Sequence, residues 1–317
     1  MSVRITSLAE AEAYVASVGL DVAALAVVVA EALGEDLGGR GVLAPGTGRG
    51  VDVTSVATID ADAVAHAAFV VRRPGVVAGL PVAAYVVAVV LGSVVEPVHP
   101  FVVEVHAGEG DRVETGDVLV TVDGGTRALL TAERVALNLL SLTSGVATAT
   151  RAWVDALAGS GTRVRDTRKT TPGLRMLEKY AVRAGGGVNH RMSLADAALI
   201  KDNHVLAAGG VVPAYERVRA MFGDLWVQVE VTTPEQARAV VDAGATDLLL
   251  DNMSLATMTE VVAELGNRAQ FEASGGLTLA SAASVAATGV DFIAVGAITH
   301  SAPILDIAMD LLPKDVV

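Results

Sequence analysis

The chain has 317 residues, which is long enough for two domains and a large buried core. Its net charge of −13, from 36 acidic and 23 basic residues, argues against general binding to nucleic acid or an anionic membrane, since either partner needs a basic face. The absence of cysteine excludes disulfides, thiolate metal sites and cysteine nucleophiles, and we expect a cytoplasmic location.

The first part of the chain predicts a domain that mixes helices with antiparallel strands. Residues 7–34 are rich in Ala, Val and Leu and predict one or two helices, and a Gly-rich segment, 34–54, follows them. Residues 103–124 alternate apolar and polar side chains around Gly-Asp turns, which is typical of a small antiparallel sheet. We expect an α+β domain that ends near residue 130.

An uncharged stretch, residues 74–95, is long enough to cross a bilayer. Proline and glycine interrupt it, and the helix that remains would run from about Pro81, a favoured first helical residue, to Leu91. Such a helix is too short to span a membrane and suits burial against a sheet. We therefore expect no membrane span, and the N-terminal residues lack the long apolar run of a signal peptide.

From about residue 160, short apolar strands alternate with helical stretches. The strand segments are TRVRDT, ALIKDN, WVQVEV, DLLLDN, AQFEAS and FIAVGA. Repeated strand–helix units imply a parallel sheet, either open and doubly wound or closed as a barrel.

The carboxyl ends of these strands carry polar residues or glycine. They are Arg168 with Lys169, Lys201 with Asp202, Glu230, Asp251, Ser274 and Gly296. Polar groups at the ends of many successive strands are typical of the mouth of a barrel, whereas an open sheet collects its ligands near one switch point. The pattern favours a barrel with fewer than eight strands.

Basic residues cluster in the middle of this acidic chain. Between Arg163 and His204 stand nine Lys or Arg and four acids, a local net charge of +5. Three of the nine have helical spacing and are interpreted as a solvated helix face: Arg175, Lys179 and Arg183.

Other cations of the cluster cannot be explained by a helix face. Arg168, Lys169 and Lys201 stand at strand ends, and His190 with Arg191 follows the flexible GGG at 185–187. Cations that face one mouth repel each other unless an anion lies between them. The pattern therefore predicts a polyanionic ligand, whose carboxylates or phosphates the arginines bind through paired hydrogen bonds.

Two Gly-rich turns, in FEASGGLT and VGAITHS, follow the last two strands. A glycine turn that leads into a helix presents backbone N–H groups to an anion, and in barrels the loops after the last two strands frequently hold a phosphate. The position of these turns therefore predicts a phosphate site.

Glu230 and Asp251 end neighbouring strands. They are either structural acids or oxygen ligands for Mg²⁺, which prefers few carboxylates together with substrate phosphates. Beside cations and a phosphate site, the second interpretation is favoured.

Arg134 is the remaining candidate. If Thr131 caps its helix, Arg134 lies in the first turn, where the helix dipole disfavours a cation. It is then either a surface arginine or one that reaches an anion, including an anion in a partner subunit.

Several motifs in this order resemble the quinolinate phosphoribosyltransferase family. They are TAERVALNLLSLTSGVAT, RDTRKTTPGLRMLEKYAVRAGGGVNHR, ALIKDNH, LLLDN, SGG and GAITHS, within a match from about Glu31 to Leu312. The resemblance implies an N-terminal α/β sandwich domain and a C-terminal incomplete parallel α/β barrel of six or seven strands. We expect the sandwich at 1–142, joined by 300–317, and the barrel at 143–299.

The resemblance also implies the chemistry: a pentosyltransferase reaction of NAD biosynthesis, in which quinolinate and phosphoribosyl pyrophosphate give nicotinate mononucleotide, pyrophosphate and CO₂. It implies Mg²⁺ as cofactor and a homodimer or higher homo-oligomer. The implied catalytic residues are Lys169, Lys201, Glu230 and Asp251.

The resemblance implies three groups of binding residues. The quinolinate carboxylates would be held by Arg168, His190, Arg191 and Lys201, with Arg134 from the neighbouring subunit. The phosphoribosyl donor would be held by Lys169, Ser274, Gly275, Gly276 and Gly296. The metal would be held by Glu230 and Asp251.

Two departures from the family pattern stand out. The Gly-rich segment 38–50 is longer than the usual link and predicts a surface insertion. Ala273 stands where we expect another small polar residue.

Three other functions stay open at this point. One is a phosphoribosyltransferase of the same fold for another base, of the nicotinate or molybdate-associated type, although the many carboxylate-binding cations favour quinolinate. A second makes Lys201 the Schiff-base lysine of an aldolase-type barrel, against which stand the neighbouring cations and the SGG turn. The third is a carrier module, since GEGDRVETGDVLVTV resembles a lipoyl or biotinyl hairpin, but the first lysine of the chain is Lys169.

Overall fold

The computed structural model describes residues 3–38, 50–95 and 98–312, and the chain divides into two compact units. The first unit comprises Met1–Thr148, Pro172–Gly185 and Ala302–Val317, and the second comprises Ala149–Thr171 and Gly186–Ser301. Relative to the domains expected from the sequence, the main difference is that residues 172–185 belong to the first unit. The expected insertion at 38–50 lies almost wholly outside the described residues.

Thirteen strands lie within the described ranges. They are β1 Val3–Ile5, β2 Val64–Val71, β3 Gly75–Val76, β4 Val102–Val105, β5 Arg112–Val113, β6 Val118–Gly125, β7 Arg163–Arg165, β8 Ala198–Ile200, β9 Val227–Val231, β10 Asp247–Asp251, β11 Gln270–Ser274, β12 Phe292–Ala294 and β13 Ile307–Leu312.

The same ranges contain twelve α-helices. They are α1 Leu8–Ser17, α2 Val22–Asp36, α3 Val53–Thr58, α4 Leu80–Val89, α5 Thr126–Ala156, α6 Arg175–Ala184, α7 Asp202–Ala208, α8 Val211–Met221, α9 Pro234–Asp242, α10 Leu255–Leu265, α11 Ala282–Ala286 and α12 Ala297–His300. A π-helical turn, Val90–Val94, continues α4, and a 3₁₀ turn, Leu279–Ser281, precedes α11. Side chains that accept backbone N–H groups start several of the helices, for example Ser7 before α1 and Asp21 before α2.

The first unit is built on an antiparallel sheet in the order β1-β4-β6-β2-β13. Its last strand comes from the C-terminal part of the chain, with Ile307 opposite Val71 and Leu312 opposite His66. Helix α4 packs against β4 and α1. Helices laid on a sheet give the α/β sandwich that the resemblance implies, and this prediction is confirmed.

Helix α4 is the apolar segment whose length raised the question of a membrane span. It begins one residue before Pro81, and its residues from Leu80 to Ala88 are all buried. Among the described residues no single helix has the length and apolarity to cross a membrane, while α1 and α2, bent by 120°, meet that test when taken together.

A half-buried carboxylate holds the start of α4. Glu109 accepts hydrogen bonds from the backbone N–H groups of Gly79 and Leu80, each at 2.8 Å, and from the hydroxyl of Tyr180. These bonds satisfy N–H groups that have no partner within the helix. Burial raises the pKa of Glu109 despite the three donors, which act in the opposite direction.

The second unit is built on parallel strands in the order β7-β12-β11-β10-β9-β8. From β8 to β12 each strand pairs with the next one in the sequence, and the last strand, β12, pairs with the first, β7. The strands therefore follow one another around a ring in sequence order. In the described part of the chain β7 and β8 do not pair, and residue Val188 bridges to Arg165 at this gap. The prediction of an incomplete parallel barrel is therefore confirmed, with six strands.

Two local predictions are wrong. Thr131 does not cap a helix, because α5 already begins at Thr126, and the Thr131 hydroxyl donates to the Arg127 carbonyl at 2.9 Å. Arg134 therefore lies well inside α5, where the dipole argument does not apply. Lys179 is not on a solvated face, since it and its neighbour Glu178 are fully buried.

Candidate active site

The carboxyl ends of the barrel strands surround a cavity of about 720 Å³. Parallel pairing places Asp251 beside Ser274 and Glu230 beside Leu249, so successive strand ends meet at one edge of the sheet. All of the site residues predicted from the sequence, except Arg134, line this cavity: Arg168, Lys169, His190, Arg191, Lys201, Glu230, Asp251, Ser274, Gly275, Gly276 and Gly296.

The alternation of side chains along β11 explains why the Ala273 departure has little effect. Glu272 and Ser274 line the cavity, whereas Ala273 between them points to the opposite face and is fully buried. The small polar residue expected at this position would therefore not have faced the ligand.

Two guanidinium groups, those of Arg168 and Arg191, stand on one side of the cavity. Each has a buried Nε for which the described residues offer no hydrogen-bond partner. Burial lowers the pKa of Arg191, and the positive charge of Arg168 lowers it further. Two partly buried cations with unused Nε donors form a site for an anion, and the planar guanidinium matches the geometry of a carboxylate or a phosphate.

His190 lies next to these arginines and is buried. Its ring Nδ1 accepts the backbone N–H of Arg191 at 2.7 Å, and its Nε2 is 2.7 Å from the Gln228 Oε1. Its own backbone N–H donates to Asp166 Oδ1 at 2.7 Å. Both ring nitrogens are thus engaged with the protein.

Lys201 and Glu230 face each other across the ends of β8 and β9. The Lys201 Nζ lies 3.5 Å from Glu230 Oε2, and the two side chains are 50% and 10% exposed. The lysine is therefore open to a ligand, while its charge is partly balanced by the carboxylate beneath it.

Asp251 is connected to the SGG turn through Asn252. The Asn252 Nδ2 donates to Asp251 Oδ2 at 2.8 Å, and the Asn252 N–H donates to the Ser274 carbonyl at 2.9 Å. Asn252 has a positive φ of 53°, which is unusual for a residue other than glycine. Gly275 and Gly276 also have positive φ, of 99° and 61°.

Lys169 crosses the second Gly-rich turn. A Cβ on Gly296 would lie 2.9 Å from the Lys169 Cδ and 3.3 Å from the His300 ring, so a side chain at this position would displace the Lys169 side chain. The Thr299 hydroxyl donates to the Lys169 carbonyl at 2.8 Å and fixes the backbone at the start of the side chain.

A resident metal would have to bind through few protein ligands. Within the described residues, no group of three or more His, Asp or Glu side chains is arranged to hold a metal ion. Glu230 and Asp251 are two carboxylates on adjacent strands that line one cavity. Such a pair fits Mg²⁺, which completes its coordination with water and substrate oxygens.

Family models match most of the chain. The N-terminal domain of quinolinate phosphoribosyl transferase matches residues 52–144, and the C-terminal domain of the same family matches residues 146–310. The chain belongs to the quinolinate phosphoribosyltransferase family.

Relatives and solved structures agree with this family. The nicotinate-nucleotide pyrophosphorylase (carboxylating) of Mycobacterium leprae is 49% identical over 83% of this chain and 92% of its own length. A probable enzyme of the same name from Synechocystis is 42% identical over 78% of this chain and 83% of its own length. The structure of the nicotinate-nucleotide pyrophosphorylase from Francisella tularensis superposes with a TM-score of 0.82 at 32% identity, over 91% of this chain and 96% of that one.

Arg134 is the one predicted site residue outside the cavity. It lies on α5 in the first unit, with a side chain 63% exposed and its Nη2 3.7 Å from Glu133 Oε1. An exposed arginine with one distant partner is available to another molecule. The role that the family resemblance implies for it, in a neighbouring subunit, stays a prediction.

Sequence reasoning missed four residues that shape the site in this family member: Arg165, Gln228, Asn252 and Glu272. Gln228 and Glu272 lie two positions before Glu230 and Ser274, so strand alternation turns them to the same face. This two-residue spacing is the signal in the sequence that identifies them. Asn252 directly follows Asp251 in the LLLDN motif.

Proposed function

We propose that the chain transfers a phosphoribosyl group to quinolinate, with release of pyrophosphate and CO₂, to form nicotinate mononucleotide for NAD biosynthesis. The observation that carries the proposal is the pair Arg168 and Arg191, whose buried Nε groups have no partner among the described residues. This pair shares a cavity with Lys201 and with the SGG turn. Family membership supports the same activity.

The two carboxylates of quinolinate account for the arginines and Lys201. Each guanidinium offers parallel N–H donors to a carboxylate, and Lys201 adds a point charge that is half exposed. The positive charges of Arg168 and Arg191 repel each other. A bound dianion offsets this repulsion, which favours its binding. A base with a single carboxylate would leave part of this positive charge uncompensated.

The phosphoribosyl donor would lie along the opposite side of the cavity. The 5′-phosphate would accept backbone N–H groups from the turns of Ser274, Gly275 and Gly276 and from Gly296. Lys169, which passes over Gly296, would stabilise the negative charge on the donor next to the base.

Glu230 and Asp251 would hold Mg²⁺ together with oxygens of the donor. When bound, the metal would neutralise charge on the departing pyrophosphate. The same carboxylates also place negative charge near the sugar, where positive charge develops at the anomeric carbon.

The reaction exchanges two bonds in sequence. The ring nitrogen of quinolinate forms a bond to the anomeric carbon as the bond from that carbon to pyrophosphate breaks, and the electron pair leaves with pyrophosphate. The ring nitrogen is then positively charged, so it stabilises the electron pair left at C2 when the 2-carboxylate departs as CO₂. A proton from water then completes C2.

The alternatives are less well supported by the geometry. A Schiff-base lysine is activated by desolvation or by a neighbouring cation, whereas Lys201 is 50% exposed and lies 3.5 Å from a carboxylate. A carrier hairpin needs an exposed lysine at its turn, and residues 108–116 contain none. A phosphoribosyltransferase for another base shares every feature except the size of the carboxylate-binding region.

We also propose that the protein works as a homodimer or higher homo-oligomer in the cytoplasm, with Arg134 entering the site of a neighbouring subunit. Its exposure on α5 supports this role. Loss of activity in Arg134→Ala, restored in mixtures with Lys201→Ala protein, would be the signature of a site shared between subunits.

The reaction is tested with quinolinate that carries a labelled 2-carboxylate. Purified protein is mixed with Mg²⁺, phosphoribosyl pyrophosphate and the labelled acid, and labelled CO₂ is collected. Release that depends on the sugar donor confirms the proposal. Absence of release, with nicotinate or another base consumed in its place, would contradict the substrate assignment.

A further inference from the structure

A continuous series of buried and half-buried hydrogen bonds leads from the barrel interior to Arg191. The Arg165 Nη1 and the Gln228 Nε2 both donate to Glu272 Oε2, at 2.7 Å and 3.0 Å. The Gln228 Oε1 lies 2.7 Å from His190 Nε2, and His190 Nδ1 accepts the Arg191 N–H. Gln228 and Glu272 are each 1% exposed, so water does not replace these partners.

The direction of each hydrogen bond follows from the groups at the two ends of this hydrogen-bond series. The Glu272 carboxylate is an acceptor, so the Gln228 amide must turn its NH₂ toward it and its oxygen toward His190. The His190 Nε2 must then carry a hydrogen. At the other end a backbone N–H can only donate, so His190 Nδ1 must be without one. His190 is thereby confined to one neutral tautomer.

Arg165 holds the Glu272 end of this hydrogen-bond series in place. The Arg165 guanidinium lies 3.3 Å from the centre of the Phe292 ring and pairs with Glu272 at 2.7 Å. Trp226 packs edge-on against His190, with ring centres 5.2 Å apart. The imidazole therefore has one position as well as one tautomer.

We propose that Gln228 and Glu272 are positioning residues that hold His190 as a neutral, Nε2-protonated imidazole, so that its Nδ1 anchors the Arg191 backbone and aims the Arg191 guanidinium into the cavity. His190, which lines the cavity, then acts on the bound anion through Arg191. The identity of the anion rests on the proposed function, whereas the tautomer does not.

The tautomer is measured directly by ¹⁵N NMR of the imidazole rings in the intact protein. The chain has six histidines, and the His190→Asn variant identifies the signal of His190 by its loss. We expect a pyrrole-like Nε2 and a pyridine-like Nδ1 at neutral pH. An imidazolium, or a hydrogen on Nδ1, would overturn the proposal.

Two variants test the link to substrate binding. Gln228→Met keeps the length of the side chain but removes both bonds, and Glu272→Gln lets the Gln228 amide reverse. Each should shift the ¹⁵N signal of the His190 Nε2, which loses its acceptor, and raise the KM for quinolinate roughly tenfold, the effect of one buried hydrogen bond, with a smaller change in the KM for phosphoribosyl pyrophosphate. If one variant does not fold, the other gives the same comparison.

Gln270→Met is the matched control, because Gln270 is exposed on the same strand as Glu272. It should leave the His190 signal and both KM values unchanged. An unaltered His190 Nε2 signal together with an unaltered KM for quinolinate in folded Gln228→Met and Glu272→Gln would overturn the proposal. In a protein without the proposed activity the NMR result still decides the tautomer, so the two failures are distinguishable.

Discussion

Asn252 occupies the space that any side chain on Gly275 would need. A Cβ on Gly275 would lie 2.1 Å from Asn252 Oδ1 and 2.5 Å from its Cγ. The side-chain amide of Asn252 also donates to Asp251, and the backbone N–H of Asn252 donates to the Ser274 carbonyl. The proposed metal ligand and the proposed phosphate turn are thus held to each other by one residue with positive φ.

Gly275→Ala should therefore disturb both halves of the donor site. The alanine must adopt a φ near 99°, which costs roughly 1–2 kcal/mol, and its Cβ must displace Asn252. We expect the KM for phosphoribosyl pyrophosphate and the Mg²⁺ requirement to rise, with little change in the KM for quinolinate. Steady-state kinetics with each substrate varied in turn checks this.

Gly161→Ala is the control for the backbone alone. Gly161 has a φ of 82° and no neighbouring atom within 4 Å of an added Cβ. It should lose stability in thermal unfolding while its kinetic constants stay the same. Equal kinetic effects of the two substitutions would contradict the role of Asn252.

Arg191→Ala and Lys201→Ala should lose most activity while remaining folded. Removing one partner of a desolvated charge pair costs about 2–5 kcal/mol, so kcat/KM for quinolinate should fall by on the order of 100-fold or more for Arg191. Lys201 is half exposed, and its loss should be smaller. Circular dichroism and steady-state kinetics give both readouts.

Arg217→Ala provides the comparison, since Arg217 is an exposed arginine on α8 and is not part of the cavity lining. Its kinetic constants should equal those of the unmodified protein. Near-normal turnover in both Arg191→Ala and Lys201→Ala would contradict the assignment of the carboxylate-binding residues.

Glu230→Gln should raise the Mg²⁺ concentration that gives half-maximal rate. Substitution of groups that only hydrogen-bond to a metal ligand already costs 10- to 100-fold in metal affinity, so for a direct ligand we expect a shift of at least roughly this size. The measurement is the rate at saturating substrates against Mg²⁺ concentration. Glu235→Gln is the control, because Glu235 is 76% exposed at the start of α9. Superimposable Mg²⁺ curves for all three proteins would exclude Glu230 as a ligand.

Glu109 makes the stability of the first unit depend on pH in a defined direction. Its folded-state pKa is raised, so its contribution to stability is fully present below the unfolded pKa and is lost as pH rises through the folded pKa. The free energy of unfolding of Glu109→Gln, relative to the unmodified protein, should therefore increase from about pH 4 toward neutrality.

Urea unfolding at several pH values measures this difference. Glu114→Gln, at an exposed position of the same segment, reports the effect of removing a carboxylate without disturbing α4. If the free energy of unfolding of Glu109→Gln, relative to the unmodified protein, falls as pH rises, burial is not the dominant influence on the pKa of Glu109.

The residues at the strand ends are the part of the site that the sequence predicts well. An apolar strand that stops at Lys201, Glu230 or Asp251 shows its end in the residue pattern, and parallel pairing then brings the ends to one edge. The six strands of the barrel were predictable for the same reason. The gap between β7 and β8, bridged at Val188, was not, because it depends on the path of a Gly-rich segment.

Buried polar residues were harder to predict. Lys179 stands at helical spacing with Arg175 and Arg183, and the pattern does not show that one of the three is fully buried. The hydrogen bond between Gln228 and Glu272 joins residues that are 44 positions apart in the chain. Their partnership exists only after the strands pair. The capping role considered for Thr131 was wrong because a capping residue is recognisable only when the start of the helix is known.

The placement of the lysines has a practical consequence. The sequence contains four, of which Lys169 and Lys201 line the cavity, Lys179 is fully buried and Lys314 lies outside the described residues. Among the lysines of the described residues, amine-directed acylation or biotinylation would therefore fall at Lys169 and Lys201, within the cavity, and would inactivate the enzyme. The 36 carboxylates are the better handles for surface immobilisation or fluorescent labelling, provided that Glu230 and Asp251 are shielded by bound substrate.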